Sequence, residues 1–322
     1  MFALLFPGQG SQRAGMGRDV YEASPAARSV FETADSVLGF PLSKLCFEGP
    51  EDALLPTEVQ QPAILATSIA LLRALEERSG VLAPAYVAGH SLGEYSALVA
   101  AGALEFEDAL RLVRARGCYM RDALPPGRGA MAAIVGCDRA TVEAACASAR
   151  AETGEVVEPA NFNAPAQTVV AGTVAGVRAA CEAAKAAGAR RALPLPVSAP
   201  FHCSLMAPAA VRLRADLAAI RIADPHPPVV ANVSAAPNAA AAQIPELLAR
   251  QVAEPVRFTE MVERLAGLGV GAVLEVGPGR VLCGLVARIA PDLERASLGC
   301  AADLDAAALF IAGPGAKPAS AG

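Results

Sequence analysis

The sequence predicts an α/β fold, with a large domain on a parallel central sheet and a smaller βαββαβ lobe inserted into it. Three observations carry this. A continuous apolar run at Phe2–Phe6 stops abruptly at Pro7-Gly8, the pattern of a central strand buried on both faces, and a further strand at Ala272–Val276 ends in Gly277-Pro278-Gly279. Apolar residues recur at helical spacing over 20–38, 61–77 and 106–120. Between two proline-rich junctions, residues 130–195 alternate short β-rich runs with helical patterns in the order strand, helix, strand, strand, helix, strand.

Composition bounds the function. The 322 residues are enough to bury a sizeable core. Hydrophobic residues make up 54%, but charge or proline breaks every apolar run before a membrane span of about 18 residues could form. The amino end lacks a basic n-region, so a signal peptide is not expected and the protein is placed in the cytoplasm. A net charge of −5, 4% aromatics and no tryptophan argue against nucleic-acid binding. Eight scattered cysteines, without a C-x-x-C pair or histidines at metal spacing, read as reduced, mostly buried small hydrophobes, and no metal is expected.

In chain order, Phe2–Phe6 delivers the loop Gly8-Gln9-Gly10-Ser11-Gln12, whose glycines let the backbone turn and direct amide N–H groups outward as half of an oxyanion hole. A phosphate loop is excluded, because the P-loop Lys-Ser/Thr pair and the G-x-G-x-x-G spacing are missing. The pattern at 20–38 predicts one helix. Gln61-Pro62 opens another, with proline in its first turn and Gln61 facing a cleft.

Tyr86-Val87-Ala88 then runs into Gly89-His90-Ser91-Leu92-Gly93-Glu94, a G-x-S-x-G turn, and a helix is predicted over 94–103. A strand that turns directly into a helix through two glycines is a nucleophile elbow, which lifts Ser91 clear of a hydrolase-like sheet. The helix at 106–120 carries Arg111, Arg114 and Arg116, with Arg121 directly after it, and composition alone reads Arg116 as one more solvated cation. Leu124-Pro125-Pro126-Gly127 marks a boundary. The lobe beyond it is ferredoxin-like and closes at Pro194-Leu195-Pro196, giving a division into 1–126 with 197–311, an insert at 127–196, and a disordered tail at 312–322.

Three histidines exist. His226 sits in the solvated loop Asp224-Pro225-His226-Pro227-Pro228, and His90 adjoins the serine in a turn that points it away. His202, at a domain junction before a helix, is the remaining candidate base for Ser91. The last third predicts a strand at 228–233, an alanine-rich linker at 235–242, helices at 244–252 and 256–268, and the strand at 272–276.

Several motifs coincide in order: Gly8-Gln9-Gly10-Ser11-Gln12, Gln61-Pro62, Gly89-His90-Ser91-Leu92-Gly93-Glu94, Arg116-Gly117, Asn161-Phe162-Asn163, Pro200-Phe201-His202, Arg250-Gln251 and Glu275-Val276-Gly277-Pro278-Gly279. Together they resemble the malonyl-CoA:acyl carrier protein transacylases of fatty acid synthesis, over about residues 1 to 300. Acyltransferase domains of polyketide synthases share most of them.

The resemblance implies a ping-pong malonyl transfer in which Ser91 carries the acyl group and His202 is its base. It also implies that the main-chain carbonyl of Gln251 orients the imidazole and that the amides of Gln9 and Leu92 form the oxyanion hole. Arg116, with Gln61 nearby, would hold the malonyl carboxylate, since a buried guanidinium binds a carboxylate bidentately. Phe201 matches a position that carries phenylalanine in malonyl-specific relatives and serine in methylmalonyl-specific ones. No cofactor is implied: CoA and the phosphopantetheine of the carrier protein are substrates.

Carrier proteins of this kind are acidic, and Arg178, Lys185, Arg190 and Arg191 are the candidate docking residues, with a merely solvated face as the alternative. Three other readings stay open here. They are a trans-acting acyltransferase of a polyketide synthase, an acyl-thioester hydrolase using Ser91 and His202, and a non-catalytic subunit on the same fold.

Overall fold

The structure, a computed structural model, describes residues 1–197 and 199–313. Strand β1 (Phe2–Phe6) leads into three helices, α1 (Arg18–Ala23), α2 (Pro25–Leu38) and α3 (Leu42–Glu48), and then the long α4 (Thr57–Ser79). The chain returns through β2 (Tyr86–Gly89) to α5 (Gly93–Ala100) and α6 (Phe106–Asp122). A second unit runs β3 (Gly129–Val135), α7 (Arg139–Thr153), β4 (Val157–Ala164), β5 (Gln167–Thr173), α8 (Val174–Ala186) and β6 (Arg191–Pro194). The rest supplies α9 (Ala207–Leu217), β7 (Val229–Val230), β8 (Pro237–Asn238), α10 (Ile244–Ala253), α11 (Phe258–Gly267), β9 (Ala272–Val276), α12 (Val281–Ile289), β10 (Glu294–Leu298) and α13 (Leu304–Ala312).

The larger sheet has the order β10-β9-β1-β2-β7-β8 and is parallel except where β8 pairs with β7. β1 lies at its centre, and its side chains alternate between two cores as the period of two requires. Leu4 and Phe6 join the core built with α2, α4, α5 and α6, whereas Ala3 and Leu5 join the one under α11 and α12. Helices on both faces explain why the central strands carry no polar alternation.

The smaller sheet is antiparallel, β4-β5-β3-β6, the strand order of a ferredoxin-like unit. One face packs Ala132, Ile134 and Val170 against α7 and α8, and the other sends Met131, Ala133 and Val169 into the main core. The α/β class and the ferredoxin-like lobe are therefore as the sequence predicts.

Local differences have physical causes. The helix expected over 20–38 is two helices, because Ser24 leaves the helical region and its Oγ accepts from Ala27 N at 3.1 Å, starting α2 with Pro25 in the first turn. α4 begins at Thr57, so Pro62 lies inside it and Gln61 is buried within the helix rather than at its start. The strand expected over 228–233 is only Val229–Val230, since Asn232 N donates to the Glu94 carboxylate instead of to a neighbouring strand. The supposed alanine linker contains β8 and a 3-10 turn at Ala241–Gln243.

α3, α12, β10 and α13 were not expected, and of the tail only Ala312, which closes α13, and Gly313 fall within the described residues. Three of the eight free cysteines are buried and five are half-buried, fewer buried than composition implied.

Candidate active site

The sharp turn between β2 and α5 is built by close approach. β1 and β2 run in register, Phe6 opposite Gly89, and His90 N donates to Phe6 O at 3.0 Å. A Cβ on Gly93 would collide with that same Phe6 carbonyl, so only glycine lets α5 start directly over β1. Ser91 has φ 52°, a left-handed conformation that a non-glycine residue adopts only when its surroundings impose it. Asn232 is one such constraint: its Oδ1 accepts from Ser91 N at 2.7 Å and its Nδ2 donates to Gly89 O at 2.7 Å.

His202 also has positive φ, 61°, in the segment that returns from the smaller sheet. Its Nε2 lies 2.6 Å from Ser91 Oγ and its Nδ1 lies 2.7 Å from Gln251 O. A carbonyl oxygen can only accept, so Nδ1 carries the hydrogen and Nε2 is left with a free lone pair toward the serine. Burial, reinforced by the nearby Arg116 charge, pushes the imidazole down to about 3. His90 points away from Ser91, with Nε2 2.8 Å from Asn163 Oδ1, and His226 is exposed in its loop.

Arg116 departs most from its composition-based reading. Arg111, Arg114 and Arg121 are exposed, whereas Arg116 is fully buried. α6 presses onto α4 at Gly117, where a Cβ would stand 2.6 Å from Glu58 Cα, and this contact sets the neighbouring guanidinium inward against Ser91 and Gln251. Its Nη1 donates to Gln61 Oε1 at 2.6 Å, and its Nη2 donates to Gln251 Oε1 at 2.9 Å and Ser91 Oγ at 3.1 Å. All three acceptors are neutral. Glu94 is a carboxyl whose charge acts on the guanidinium, and burial pushes that carboxyl up to about 7 against hydrogen bonds from Gln251 and Asn232.

Ser91 and His202 open onto a cleft of about 230 Å³ between the two sheets, lined also by Gln9, Gln60, Met131 and Phe201 among others, with Arg116 buried directly behind Ser91. Leu92 precedes the first turn of α5, where main-chain N–H groups have no helical partner. Gln9 crosses the mouth, its amide donating to Thr57 Oγ1 at 3.1 Å and to Gln60 Oε1. Arg178, Lys185, Arg190 and Arg191 are exposed on α8 and on the loop and strand after it, away from the cleft floor. No group of three or more metal-ligating side chains stands together among the described residues.

Sequence reasoning gave no role to Asn232, Gln60 or the Glu94 side chain. The signal for Gln60 is its place beside Gln61 at the start of the Gln61-Pro62 motif. Nothing local marks Asn232, whose partner Ser91 is 141 positions away.

A serine on a helix-starting elbow, an imidazole within hydrogen-bond reach and a buried guanidinium at the same oxygen define an acyl-transfer site. The chain belongs to the acyl transferase domain family, whose model matches residues 3–297. More narrowly, it is 48% identical to the malonyl CoA-acyl carrier protein transacylase of Escherichia coli strain K12, over 92% of this chain and 95% of that relative. The crystal structure of the acyl-carrier-protein S-malonyltransferase of Burkholderia pseudomallei 1710b superposes with a TM-score of 0.92 at 49% identity, covering 95% of this chain and 99% of that one. A malonyl-transacylase solved in complex with a type II polyketide synthase acyl-carrier protein gives a TM-score of 0.91 at 48% identity, covering 94% and 97%.

Proposed function

We propose that the protein is an acyl-carrier-protein S-malonyltransferase, moving malonyl from CoA to the phosphopantetheine thiol of a carrier protein for fatty acid chain elongation. Ser91 attacks the thioester carbonyl while His202 Nε2 takes its proton. The tetrahedral oxyanion is received by the N–H groups of Gln9 and Leu92. Its collapse breaks the C–S bond, and the departing CoA thiolate takes the proton from His202, leaving a malonyl ester on Ser91. The carrier thiol then gives its proton to His202, attacks the ester, and releases Ser91 with its hydroxyl restored.

The Gln251 carbonyl keeps the imidazole in the tautomer both half-reactions need. Throughout, Arg116 pairs with the malonyl carboxylate and Gln61 holds the guanidinium. The reaction calls for no cofactor.

One observation carries this reading: Arg116 is fully buried against the nucleophile with only neutral acceptors at hand. A guanidinium so placed is a receptor for a carboxylate, and an esterase for neutral acyl groups has no use for it. Incubation with radiolabelled malonyl-CoA, with and without carrier protein, tests it. Label on the carrier protein supports the transferase, whereas release of free malonate as the main product would make the protein a hydrolase.

A polyketide carrier protein is the second reading of the acceptor, favoured by the relative that is held in complex with one. Arg178, Lys185, Arg190 and Arg191 dock the acidic carrier protein in either case. We further assign 1–126 with 197–311 to the catalytic domain and 127–196 to the insert, and we place the protein in the cytoplasm. No helix among the described residues is long and apolar enough to cross a membrane.

A further inference from the structure

Glu94 has no part in the transfer just described, yet its carboxylate is 3% exposed and lies at the centre of the site's polar contacts. Its Oε2 accepts from Gln251 Nε2 at 2.7 Å and from Asn232 N at 3.1 Å. Each donor belongs to a residue that grips the reacting groups. Asn232 holds the elbow through Ser91 N and Gly89 O. Gln251 holds His202 through its main-chain oxygen and Arg116 through its side-chain oxygen, and its Nε2 also donates to Ser91 O at 2.8 Å.

A glutamine amide is nearly symmetric in shape but opposite in polarity at its two ends. In the observed sense, Gln251 Nε2 meets two acceptors and Oε1 meets the Arg116 donor. Turned over, it would set NH₂ against the guanidinium and its oxygen against both the Glu94 carboxylate and Ser91 O. Glu94 Oε2 already accepts from Asn232 N, so the turned-over amide would bring its oxygen against an oxygen that is itself serving as an acceptor. Without the Glu94 carboxylate, the Asn232 N–H and one Gln251 hydrogen would lose their partners in the protein interior.

We propose that Glu94 is a positioning residue that acts through the Gln251 side chain, fixing the sense of that amide so that Arg116 presents its N–H groups to the substrate carboxylate beside Ser91. The inference rests on the malonyl-transfer reading. Arg116 is the group that reads the carboxylate, so loss of Glu94 falls chiefly on malonyl, and acetyl-CoA reports the remaining damage through the elbow.

The test compares wild type, Glu94→Leu, Glu94→Gln, Gln251→Leu and the double variant Glu94→Leu/Gln251→Leu, each checked for folding by circular dichroism, with malonyl-CoA and acetyl-CoA as donors. Wild type is measured first, and its failure to transfer malonyl would remove the functional reading itself. Given wild-type transfer, Glu94→Leu should lower malonyl kcat/KM by about 10–100-fold, the usual effect of removing an outer partner of a site, with KM rising and acetyl transfer falling much less. Glu94→Gln keeps an acceptor oxygen and should recover most of the loss. Gln251→Leu keeps the main-chain carbonyl on His202 and should reproduce the malonyl-selective loss, with the double variant no worse than the worse single one.

Equal losses of malonyl and acetyl transfer in Glu94→Leu, or additive losses in the double variant, would overturn the inference. If Glu94→Leu does not fold, Glu94→Gln and Gln251→Leu decide. A Glu94→Gln variant as selectively impaired as Gln251→Leu would overturn it, and a near-wild-type malonyl-to-acetyl ratio would uphold it.

Discussion

Arg116 Nη2 donates to Ser91 Oγ at 3.1 Å, on the same oxygen that His202 Nε2 approaches at 2.6 Å. The proposed nucleophile and the proposed carboxylate receptor thus share a hydrogen bond. If a malonyl carboxylate pairs with Arg116 as proposed, it would draw that N–H onto itself, so that substrate recognition and release of the serine lone pair would be one event.

Arg116→Ala should therefore separate substrates. Stranding a buried carboxylate costs about 3–5 kcal/mol by analogy with broken buried pairs. Malonyl transfer should fall by roughly two to four orders of magnitude at about 1.4 kcal/mol per tenfold. Acetyl-CoA never gains that contact, and its slow transfer should hold or rise. Parallel losses for both donors would make Arg116 a structural residue.

Ser91 and His202 should behave as one unit. Either alanine substitution should remove most turnover, and the double variant should be little worse than the singles. A double variant whose loss is the product of the single losses would break the dyad.

The lobe order over 129–194 and the strand, elbow and helix around Ser91 were legible because both are written in local patterns. The burial of Arg116 was not. It depends on α6 meeting α4 at Gly117 and on acceptors 55 and 135 positions away, so composition alone reads it as surface charge. Only the resemblance of whole motifs pointed inward. The two-residue β7 was illegible for the same reason: its ladder is cut short by a carboxylate 138 positions distant.

Acid stability should carry two opposed signatures. His202 sits at about 3 in the folded protein against an ordinary 6.5, so it supports folding above 6.5 and withdraws that support as pH falls toward 3. Glu94 is raised from 4.5 to about 7, so its contribution is complete below 4.5 and is lost as pH rises through 7. Thermal melts of His202→Gln should show a shallower decline between pH 6.5 and 3. Glu94→Gln should lose less stability than wild type between pH 4.5 and 7. Unchanged slopes in both variants would mean that neither group is shifted by burial.

Phe201 is 6% exposed and lines the cleft beside His202, where a ring would crowd an α-methyl branch. One methyl in such a pocket decides about 1–3 kcal/mol, so malonyl should be preferred over methylmalonyl by roughly ten- to two-hundred-fold. Phe201→Ser should narrow the ratio of the two kcat/KM values. If the ratio does not move, the ring does not set the preference.

Docking through Arg178, Lys185, Arg190 and Arg191 should weaken with salt. Charge reversal at Arg190 and Arg191 should raise KM for the carrier protein and leave KM for malonyl-CoA the less affected. An unchanged carrier KM across salt and variants would move the docking face elsewhere.

The contact between Gly93 and the Phe6 carbonyl limits how this site can diversify. A side-chain swap at position 91, such as a thiol for the hydroxyl, alters the chemistry without disturbing the frame. Any residue larger than glycine at 93 would instead drive α5 off β1 and carry the Leu92 amide with it. Substrate range can therefore drift through Phe201 on the cleft wall and Arg116 behind Ser91, while the turn that presents the proposed nucleophile is inherited unaltered or lost.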